Sequence, residues 1–283
     1  MVFPPRAGIP AGRRQSSTRD QGIPRKRFGQ NFLTDLGATR RIVAALGPVP
    51  GENLLEIGPG RGALTGELLS VVPSMSAVEI DRDLARLLRS QYPEDRLRLI
   101  VDDVKAISFQ TLAASGPLVI AGNLPYNISK PVAMKLVGER RFVARAVLMF
   151  QREVADRLTA RPGSRAYGPL TVLAGRAYRI ERLFDLPPGA FTPRPKVLSS
   201  VTRWLPLAGD PLPDDEVSPL RAVLQAAFAH RRQTLQNNLR NAVPGGAVAA
   251  ASLLTAAGVD GSLRAEAIAP EGFVALARLW PRV

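Results

Sequence analysis

The sequence has no cysteine and a single histidine, His230, among its 283 residues. Without cysteine there is no disulfide framework, no thiol nucleophile and no thiolate metal site. One histidine argues against a histidine-based catalytic triad and against a multi-histidine metal site. These two absences lead us to expect a protein that works without a metal ion.

Long apolar runs are also missing. No stretch approaches the roughly 18 consecutive apolar residues of a membrane span. The N-terminus carries arginines but no apolar segment after them, so neither a secretory signal nor an anchor is visible. We therefore expect a cytoplasmic protein with no membrane partner.

Positive charge is what the chain has in excess, because 38 Lys and Arg against 24 Asp and Glu give a formal net charge of +14. A surplus this large indicates a polyanionic partner, either nucleic acid or an anionic membrane surface. It is concentrated in residues 1–41, with nine basic and two acidic side chains, and in residues 135–182, with eleven and four. An arginine-rich codon usage is the simpler alternative, but codon bias alone would not produce an excess over acids.

Short apolar runs alternate with helical periodicity from residue 53 onward, which predicts a doubly wound α/β fold. The expected sheet is mostly parallel and is closed by an antiparallel hairpin. Its seven strands are predicted at residues 54–57, 75–80, 97–101, 117–122, 144–150, 178–186 and 199–207. Helices are predicted at 63–72, 82–91 and 152–160, after a first helix that has the apolar stripe Leu36, Ile42, Val43 and Leu46 and ends at Gly47.

Composition divides the chain into three parts. Residues 1–24 hold Pro, Gly, Ser and Arg without periodicity, which is typical of a basic, disordered extension. Residues 25–208 form the α/β domain. A proline-rich link at 209–213 leads into several short helices with no convincing strand, so we predict a separate helical domain at 209–283.

The motif N-L-P-Y at residues 123–126 follows a buried strand, where open α/β sheets collect their chemistry. Pro125 fixes its own φ and keeps Leu124 out of a helix, so carbonyls of this turn should face the cleft. Asn123 and one backbone carbonyl would accept hydrogen bonds from the two N–H groups of a nucleobase amine, and Tyr126 would stack on the base. Alone, the motif fits equally well a strand end whose asparagine caps the next helix.

A second motif, E-I-G-P-G-R-G at 56–62, follows a strand and opens a helix, as a nucleotide-type cofactor loop must. Alone it does not separate NAD from S-adenosyl-L-methionine (SAM). Three acids follow successive strands: Glu56 for a cationic amino group, Glu79 for ribose hydroxyls and Asp103 for an adenine amine. Several carboxylates suit the cationic SAM better than the pyrophosphate of NAD.

Together these motifs resemble the KsgA/Dim1 family of ribosomal RNA adenine dimethyltransferases, from about Arg25 to the C-terminal region. The resemblance implies a Rossmann-like SAM-dependent methyltransferase domain with a mostly parallel seven-stranded sheet, and a small all-helical C-terminal domain that recognises RNA. It implies methylation of N6 on two adjacent adenosines near the 3′ end of small-subunit rRNA, coupled to small-subunit biogenesis. The implied partner is rRNA within the immature small ribosomal subunit, bound by a monomeric enzyme.

The same resemblance implies the site residues. The segment F-G-Q-N-F-L at 28–33 is similar to the family's N-terminal SAM-contacting motif, and F-T-P-R-P-K-V at 191–197 to a late loop whose aromatic residue packs on the target base opposite Tyr126. The implied cofactor-binding residues are Asn31, Leu33, Glu56, Gly58, Gly60, Glu79, Asp103 and Asn123. The implied catalytic residues are Asn123, Leu124, Pro125, Tyr126 and Phe191.

RNA phosphates are expected to meet the basic residues Arg25, Lys26, Arg27, Arg140, Arg141, Arg231 and Arg232. Gln233 stands where the family pattern has a basic residue, which removes one expected contact. Two alternatives remain open at this point. One is a large-subunit rRNA methyltransferase of the erythromycin-resistance type, and the other is an assembly factor whose binding matters more than its catalysis.

Overall fold

The computed structural model describes residues 30–209 and 212–281. The predicted extension at 1–24 lies outside these ranges. So do three of the predicted RNA contacts, Arg25, Lys26 and Arg27, and the first two residues of the N-terminal motif at 28–33.

The described residues contain nine strands in two sheets. They are β1 (Phe32–Leu33), β2 (Asn53–Ile57), β3 (Met75–Val78), β4 (Leu97–Ile100), β5 (Leu118–Asn123), β6 (Val143–Gln151), β7 (Tyr178–Leu186), β8 (Phe191–Thr192) and β9 (Ser199–Pro206). The main sheet has the order β4-β3-β2-β5-β6-β9-β7, and β1 pairs with β8. Strands β2 to β6 are parallel, and β9 lies antiparallel between β6 and β7. The predicted seven-stranded, mostly parallel sheet with its antiparallel closure is confirmed.

Helices cover the sheet and make up the C-terminal part. They are α1 (Leu36–Leu46), α2 (Ala63–Leu69), α3 (Arg82–Gln91), α4 (Phe109–Leu112), α5 (Ser129–Gly138), α6 (Arg152–Leu158), α7 (Pro169–Ala177), α8 (Asp214–Ala227), α9 (Leu235–Leu239), α10 (Gly246–Ala256) and α11 (Pro270–Arg278). The described part of the C-terminal region is helical, as predicted. None of the helices at 30–209 or 212–281 is both long and apolar enough to cross a membrane.

Helix α1 shows how local chemistry sets the helix ends. The side chain of Asp35 accepts a hydrogen bond from the N–H of Ala38 at 3.0 Å and caps the helix. Gly47 ends it with a φ of 56°, a left-handed conformation that favours glycine. The predicted apolar stripe is wrong at one position. Leu36 is 60% exposed because it is the first residue of the helix and lies before the turns that bury Ile42, Val43 and Leu46.

Two hydrophobic cores lie on the two faces of the sheet. Successive residues of β2 point in opposite directions, so Leu54 belongs to one core and Leu55 to the other. The core that contains Leu55 continues into the C-terminal helices, where it includes Leu220 and Phe273. The link at 209–213 therefore separates two kinds of secondary structure that share one core, and its role as a domain boundary stays a prediction.

Candidate active site

A cavity of about 300 Å³ opens at the carboxyl ends of the parallel strands, the edge at which open α/β sheets bind ligands. Six segments of the described chain line it: 30–33, 56–61, 63–64, 78–80, 102–105 and 123–128. The structure thus brings together all eight predicted cofactor-binding residues, and it places Leu124, Pro125 and Tyr126 at the same cavity.

The glycine loop after β2 needs glycine for two separate reasons. Gly58, Gly60 and Gly62 have φ values of 68°, 59° and 85°, which side chains with a Cβ rarely adopt. A Cβ added at Gly60 would also lie 3.1 Å from the ring of Phe32. The N–H of Gly60 donates to Oε2 of Glu79 at 3.1 Å, so the loop is held against the end of β3.

Glu56 is buried at the floor of the cavity, with 1% of its surface exposed. Its Oε2 accepts a hydrogen bond from the hydroxyl of Thr65, on α2, at 2.7 Å. Burial raises the pKa of the Glu56 carboxyl to about 8, and the nearby carboxyl of Glu79 acts in the same direction, whereas the Thr65 bond opposes them. An unliganded protein therefore keeps this carboxyl mostly protonated at neutral pH.

The other two predicted acids differ in their surroundings. Glu79 is buried, and its Oε1 accepts from the N–H of Asp81 at 2.8 Å; burial raises its pKa. Asp103 is more exposed. Its carboxylate accepts from the N–H of Lys105 at 3.0 Å and pairs with Nζ of the same lysine at 3.1 Å. Asp103 therefore already has a cationic neighbour on the cavity wall.

Two apolar residues at the cavity were not anticipated from the sequence. Ile80 follows Glu79 directly at the end of β3 and is 47% exposed, while Val104 follows Asp103 and is buried. Both line the cavity, so they offer apolar surface between two acids. The pattern that could have revealed them is an apolar residue placed immediately after each strand-end acid.

Asn123 ends β5, and its side chain is oriented by the N-terminal segment. Its Nδ2 donates to the main-chain oxygen of Asn31 at 3.0 Å, which leaves Oδ1 to accept. The preceding Gly122 permits this placement, because a Cβ there would lie 2.9 Å from the carbonyl oxygen of Ile57. Helix α5 begins only at Ser129, and the Asn123 side chain binds Asn31 instead of the helix amides. The capping alternative is therefore not supported.

Tyr126 begins a single 3₁₀ turn that leads from Pro125 into α5. Its ring is half-buried at the cavity wall, and burial raises the pKa of its hydroxyl. That hydroxyl lies 3.0 Å from Oγ of Ser199, the first residue of β9. The aromatic surface predicted for stacking is therefore present beside Asn123.

Comparison with known families agrees with this geometry. A sequence model of the family described as Ribosomal RNA adenine dimethylase matches residues 23–279. The chain belongs to the ribosomal RNA adenine dimethylase family. Members are SAM-dependent methyltransferases, so the chain is an enzyme of that class and the resemblance inferred from the sequence is confirmed.

Relatives within the ribosomal RNA adenine dimethylase family match most of the chain. The protein is 47% identical over 218 residues to the "Ribosomal RNA small subunit methyltransferase A" of Laribacter hongkongensis, covering 77% of this chain and 83% of that relative. It is 42% identical over 252 residues to the protein of the same name from Aromatoleum aromaticum, covering 89% and 92%.

Solved structures share the fold. A dimethyladenosine transferase from Plasmodium falciparum superposes with a TM-score of 0.70 at 23% identity, covering 87% of this chain and 95% of that one. The 23S rRNA methyltransferase ErmE gives a TM-score of 0.65 at 24% identity, covering 88% and 98%. Identities this low establish the common Rossmann-like methyltransferase fold and nothing about the substrate.

The residues of the cavity fit SAM, the cofactor of the ribosomal RNA adenine dimethylase family. SAM carries a sulfonium and an ammonium, and Glu56 and Glu79 are buried acids that gain from a cationic neighbour. At Gly60 the loop has no room for a side chain, because a Cβ would lie 3.1 Å from the Phe32 ring. Glu56 would hold the amino end and Glu79 the ribose, while Ile80 would lie against the adenine.

Phe191 corrects one prediction. The residue was expected to pack on the target base opposite Tyr126, but it is 2% exposed and belongs to the hydrophobic core that contains Leu33 and Val201. The reason is strand pairing: Phe191 is in β8, in register with Leu33 of β1, which directs its ring into that core. In this ribosomal RNA adenine dimethylase Phe191 does not line the cavity.

Arg140 corrects a second prediction. It was expected to contact RNA phosphate, but it is 4% exposed and its Nη1 pairs with Asp214 of α8 at 3.0 Å. A further bond from Nη1 to the carbonyl of Val137 is 3.3 Å long. Its guanidinium thus joins the α/β part of the ribosomal RNA adenine dimethylase fold to the C-terminal helices, which makes it a structural residue.

The other described basic candidates are exposed. Arg141 also pairs with Asp214, at 2.8 Å, and both side chains are more than half exposed. Arg231 pairs with Glu266 at 3.2 Å and donates to the carbonyl of Arg165 at 2.9 Å. Arg232 is exposed next to it. These three arginines remain available to a polyanion, because screening makes exposed ion pairs weak.

Proposed function

We propose that the protein transfers methyl groups from SAM to N6 of two adjacent adenosines near the 3′ end of small-subunit rRNA. The observation that carries this proposal is the orientation of Asn123. Its amide nitrogen donates a hydrogen bond to Asn31, so Oδ1 remains as a hydrogen-bond acceptor at the end of β5. An acceptor there suits a nucleobase amine, whose lone pair becomes nucleophilic only when its N–H bonds are drawn away from the plane of the base.

The second acceptor in this proposal is the carbonyl of Leu124. In the turn, the carbonyl of Pro125 already accepts from the N–H of Ile128 at 3.1 Å. None of the amides of the described residues outside regular strands and helices donates to the Leu124 oxygen. Two acceptors, Oδ1 of Asn123 and O of Leu124, then face the two N–H bonds, while Tyr126 supplies a ring for one face of the base.

Catalysis in this proposal depends mainly on alignment. SAM supplies an electrophilic methyl group and leaves as a neutral thioether. As the N6–carbon bond forms, one N6 proton becomes acidic and passes to water, so the site needs no dedicated base. The base must leave its stack to reach the cavity, and stacking on Tyr126 compensates part of that cost, at roughly 1 to 3 kcal/mol.

The proposed substrate is the immature small subunit, and the proposed location is the cytoplasm, where that subunit is assembled. Support for the small subunit comes from relatives at 40–47% identity that carry the name "Ribosomal RNA small subunit methyltransferase A". The erythromycin-resistance alternative is not favoured, because these relatives carry the small-subunit name. We also propose that the enzyme acts as a monomer.

Phosphate contacts are proposed at Arg141, Arg231 and Arg232, together with the basic segment 25–27, which lies outside the described residues. The C-terminal helices would therefore take part in RNA recognition, through residues just after α8. Counterion release makes such contacts sensitive to salt, so affinity for the subunit should fall steeply as ionic strength rises.

The decisive experiment is transfer of labelled methyl from SAM to purified, unmethylated small subunits, with large subunits and naked rRNA in parallel. We expect dimethyladenosine in the small-subunit RNA alone. Asn123→Ala should keep SAM affinity but lose roughly 2.7 to 4 kcal/mol of transition-state stabilisation, as for loss of one preorganised hydrogen-bonding group. Asn237→Ala, at an exposed position of α9, is the matched control and should be as active as the parent protein.

The proposal fails if label appears in large-subunit RNA, or if SAM binds and no RNA is labelled. The second result would favour an assembly factor that acts by binding. Complementation by Asn123→Ala separates these cases in the cell, because an assembly factor keeps its effect without catalysis.

A further inference from the structure

We propose that Ser199 is a positioning residue, which holds the ring of Tyr126 in the orientation needed to stack on the target adenine. The inference rests on the proposed function and adds to it a residue of β9, two strands away from β5 in the sheet. It depends on one contact, the 3.0 Å separation of the Tyr126 hydroxyl and Oγ of Ser199.

Ser199 is a rigid point of attachment. It is 1% exposed, and it opens β9, the strand that lies between β6 and β7. Its backbone is in register with Gln151 on one side and Leu186 on the other. A hydroxyl on a strand paired along both edges has little freedom, so it can fix the position of a more mobile partner.

Tyr126 is such a partner. It lies in a three-residue 3₁₀ turn, in which the bond from the N–H of Ile128 to the carbonyl of Pro125 restrains the backbone and not the ring. The ring is partly buried and lines the cavity, and it belongs to neither hydrophobic core. The hydroxyl bond to Ser199 is therefore the specific restraint on ring orientation.

The catalytic turn is consequently held from two directions. At its start, the Asn123 side chain is bound to the main chain of Asn31, beside β1. At its end, the Tyr126 hydroxyl is bound to Ser199 of β9. Separate parts of the fold thus set the amine acceptor and the stacking ring, and a change at Ser199 should alter base stacking without altering cofactor binding.

A nearby residue provides the matched control. Ser200 is also fully buried in β9, but its Oγ donates to Asp185 at 2.7 Å, away from the cavity. Ser200→Ala removes a buried hydroxyl bond from the same strand, so it reports the structural cost of such a change. A positioning role predicts that Ser199→Ala impairs the reaction with RNA beyond that cost.

The experiment is a double-mutant cycle on single-turnover methylation of unmethylated small subunits. Ser199→Ala and Tyr126→Phe should each lower kcat/KM for the subunit by about 2- to 12-fold, the value of one neutral hydrogen bond. In the double variant, kcat/KM should be about as low as in the less active single variant, because both changes remove the same bond. The Kd for SAM should stay within about twofold of the parent value, and Ser199→Thr, which keeps a hydroxyl, should restore much of the loss.

Three results would overturn the inference: additive losses in the double variant, full activity of Ser199→Ala, or an equal loss in Ser200→Ala. Thermal unfolding of each variant checks that the fold is intact. Failure of the proposed function is distinguishable, since the parent protein would then not methylate small subunits at all. An active parent with an unaffected Ser199→Ala would reject this inference alone.

Discussion

Cofactor binding should depend on pH through Glu56, because this buried carboxyl has a pKa of about 8. A cationic ligand beside it favours the ionised form, so binding of SAM must release a proton wherever the unliganded carboxyl is protonated. The affinity for SAM should therefore rise with pH below about 8. An ordinary glutamate would give almost no change over this range, because it is already ionised at pH 6.

The size of the effect follows from the ionised fraction. With a pKa of about 8, roughly 1% of Glu56 is ionised at pH 6 and roughly 9% at pH 7. If the bound state is fully ionised, the Kd for SAM falls by about ninefold over that interval.

Titration calorimetry at pH 6 and pH 7, in buffers with different ionisation enthalpies, measures both the affinity and the protons released. Glu56→Gln should bind SAM more weakly and lose most of the pH dependence. Glu67→Gln, on helix α2 near Thr65 but away from the cavity, should behave as the parent protein does. An equal Kd at both pH values in the parent protein, with no proton release, would refute the reasoning.

Protein stability supplies an independent check on Glu56. Between pH 4.5, the ordinary pKa, and about 8, the folded chain holds a proton that the unfolded chain has lost. The free energy of unfolding should therefore fall as pH rises through this window. Glu56→Gln should lessen that decline, so its stability relative to the parent protein should be more favourable at pH 8 than at pH 5.

Three further substitutions test the placement of single side chains. Gly60→Ala should weaken SAM binding and cost roughly 1 to 2 kcal/mol of stability, measured by calorimetry and denaturation, because φ is positive and the Cβ would meet Phe32; an unchanged Kd would contradict this. Arg140→Ala should cost roughly 1.5 to 3 kcal/mol of unfolding free energy, because its buried ion pair is lost. Arg232→Ala should leave stability intact but lower the slope of log K for RNA binding against log salt by about one. If the two variants showed each other's effects, Arg140 and not Arg232 would be the RNA contact. Phe191→Ala should cost roughly 3 to 5 kcal/mol in denaturant unfolding; normal stability with lost RNA reaction would instead restore a role at the base.

Much of the fold was predictable because it depends on short-range patterns. The seven strands of the main sheet lie within a few residues of the predicted ranges, and α3 has the predicted ends. Helices α4 and α7 were not predicted. The pair β1 and β8 was missed as well, because two-residue strands carry no periodicity and are defined only by a partner about 160 residues away.

The amino-acid sequence by itself determined where the site lies. The glycine loop at 56–62 and the acids Glu79 and Asp103 follow successive strands, and parallel strands bring their carboxyl ends to one edge of a sheet. The motif at 123–126 follows the next strand in space, so it reaches the same edge. Chain order and strand spacing suffice for that conclusion, and no side-chain direction enters it.

Only the tertiary structure decided which way individual side chains point. Asn123 is oriented by Asn31, 92 residues earlier, and Tyr126 by Ser199, 73 residues later. Phe191 and Arg140 follow the family pattern and the charge pattern of the sequence, yet both are buried. Local sequence places a residue on an element, but the free energy of a side chain's orientation depends on what packs against it from distant parts of the chain.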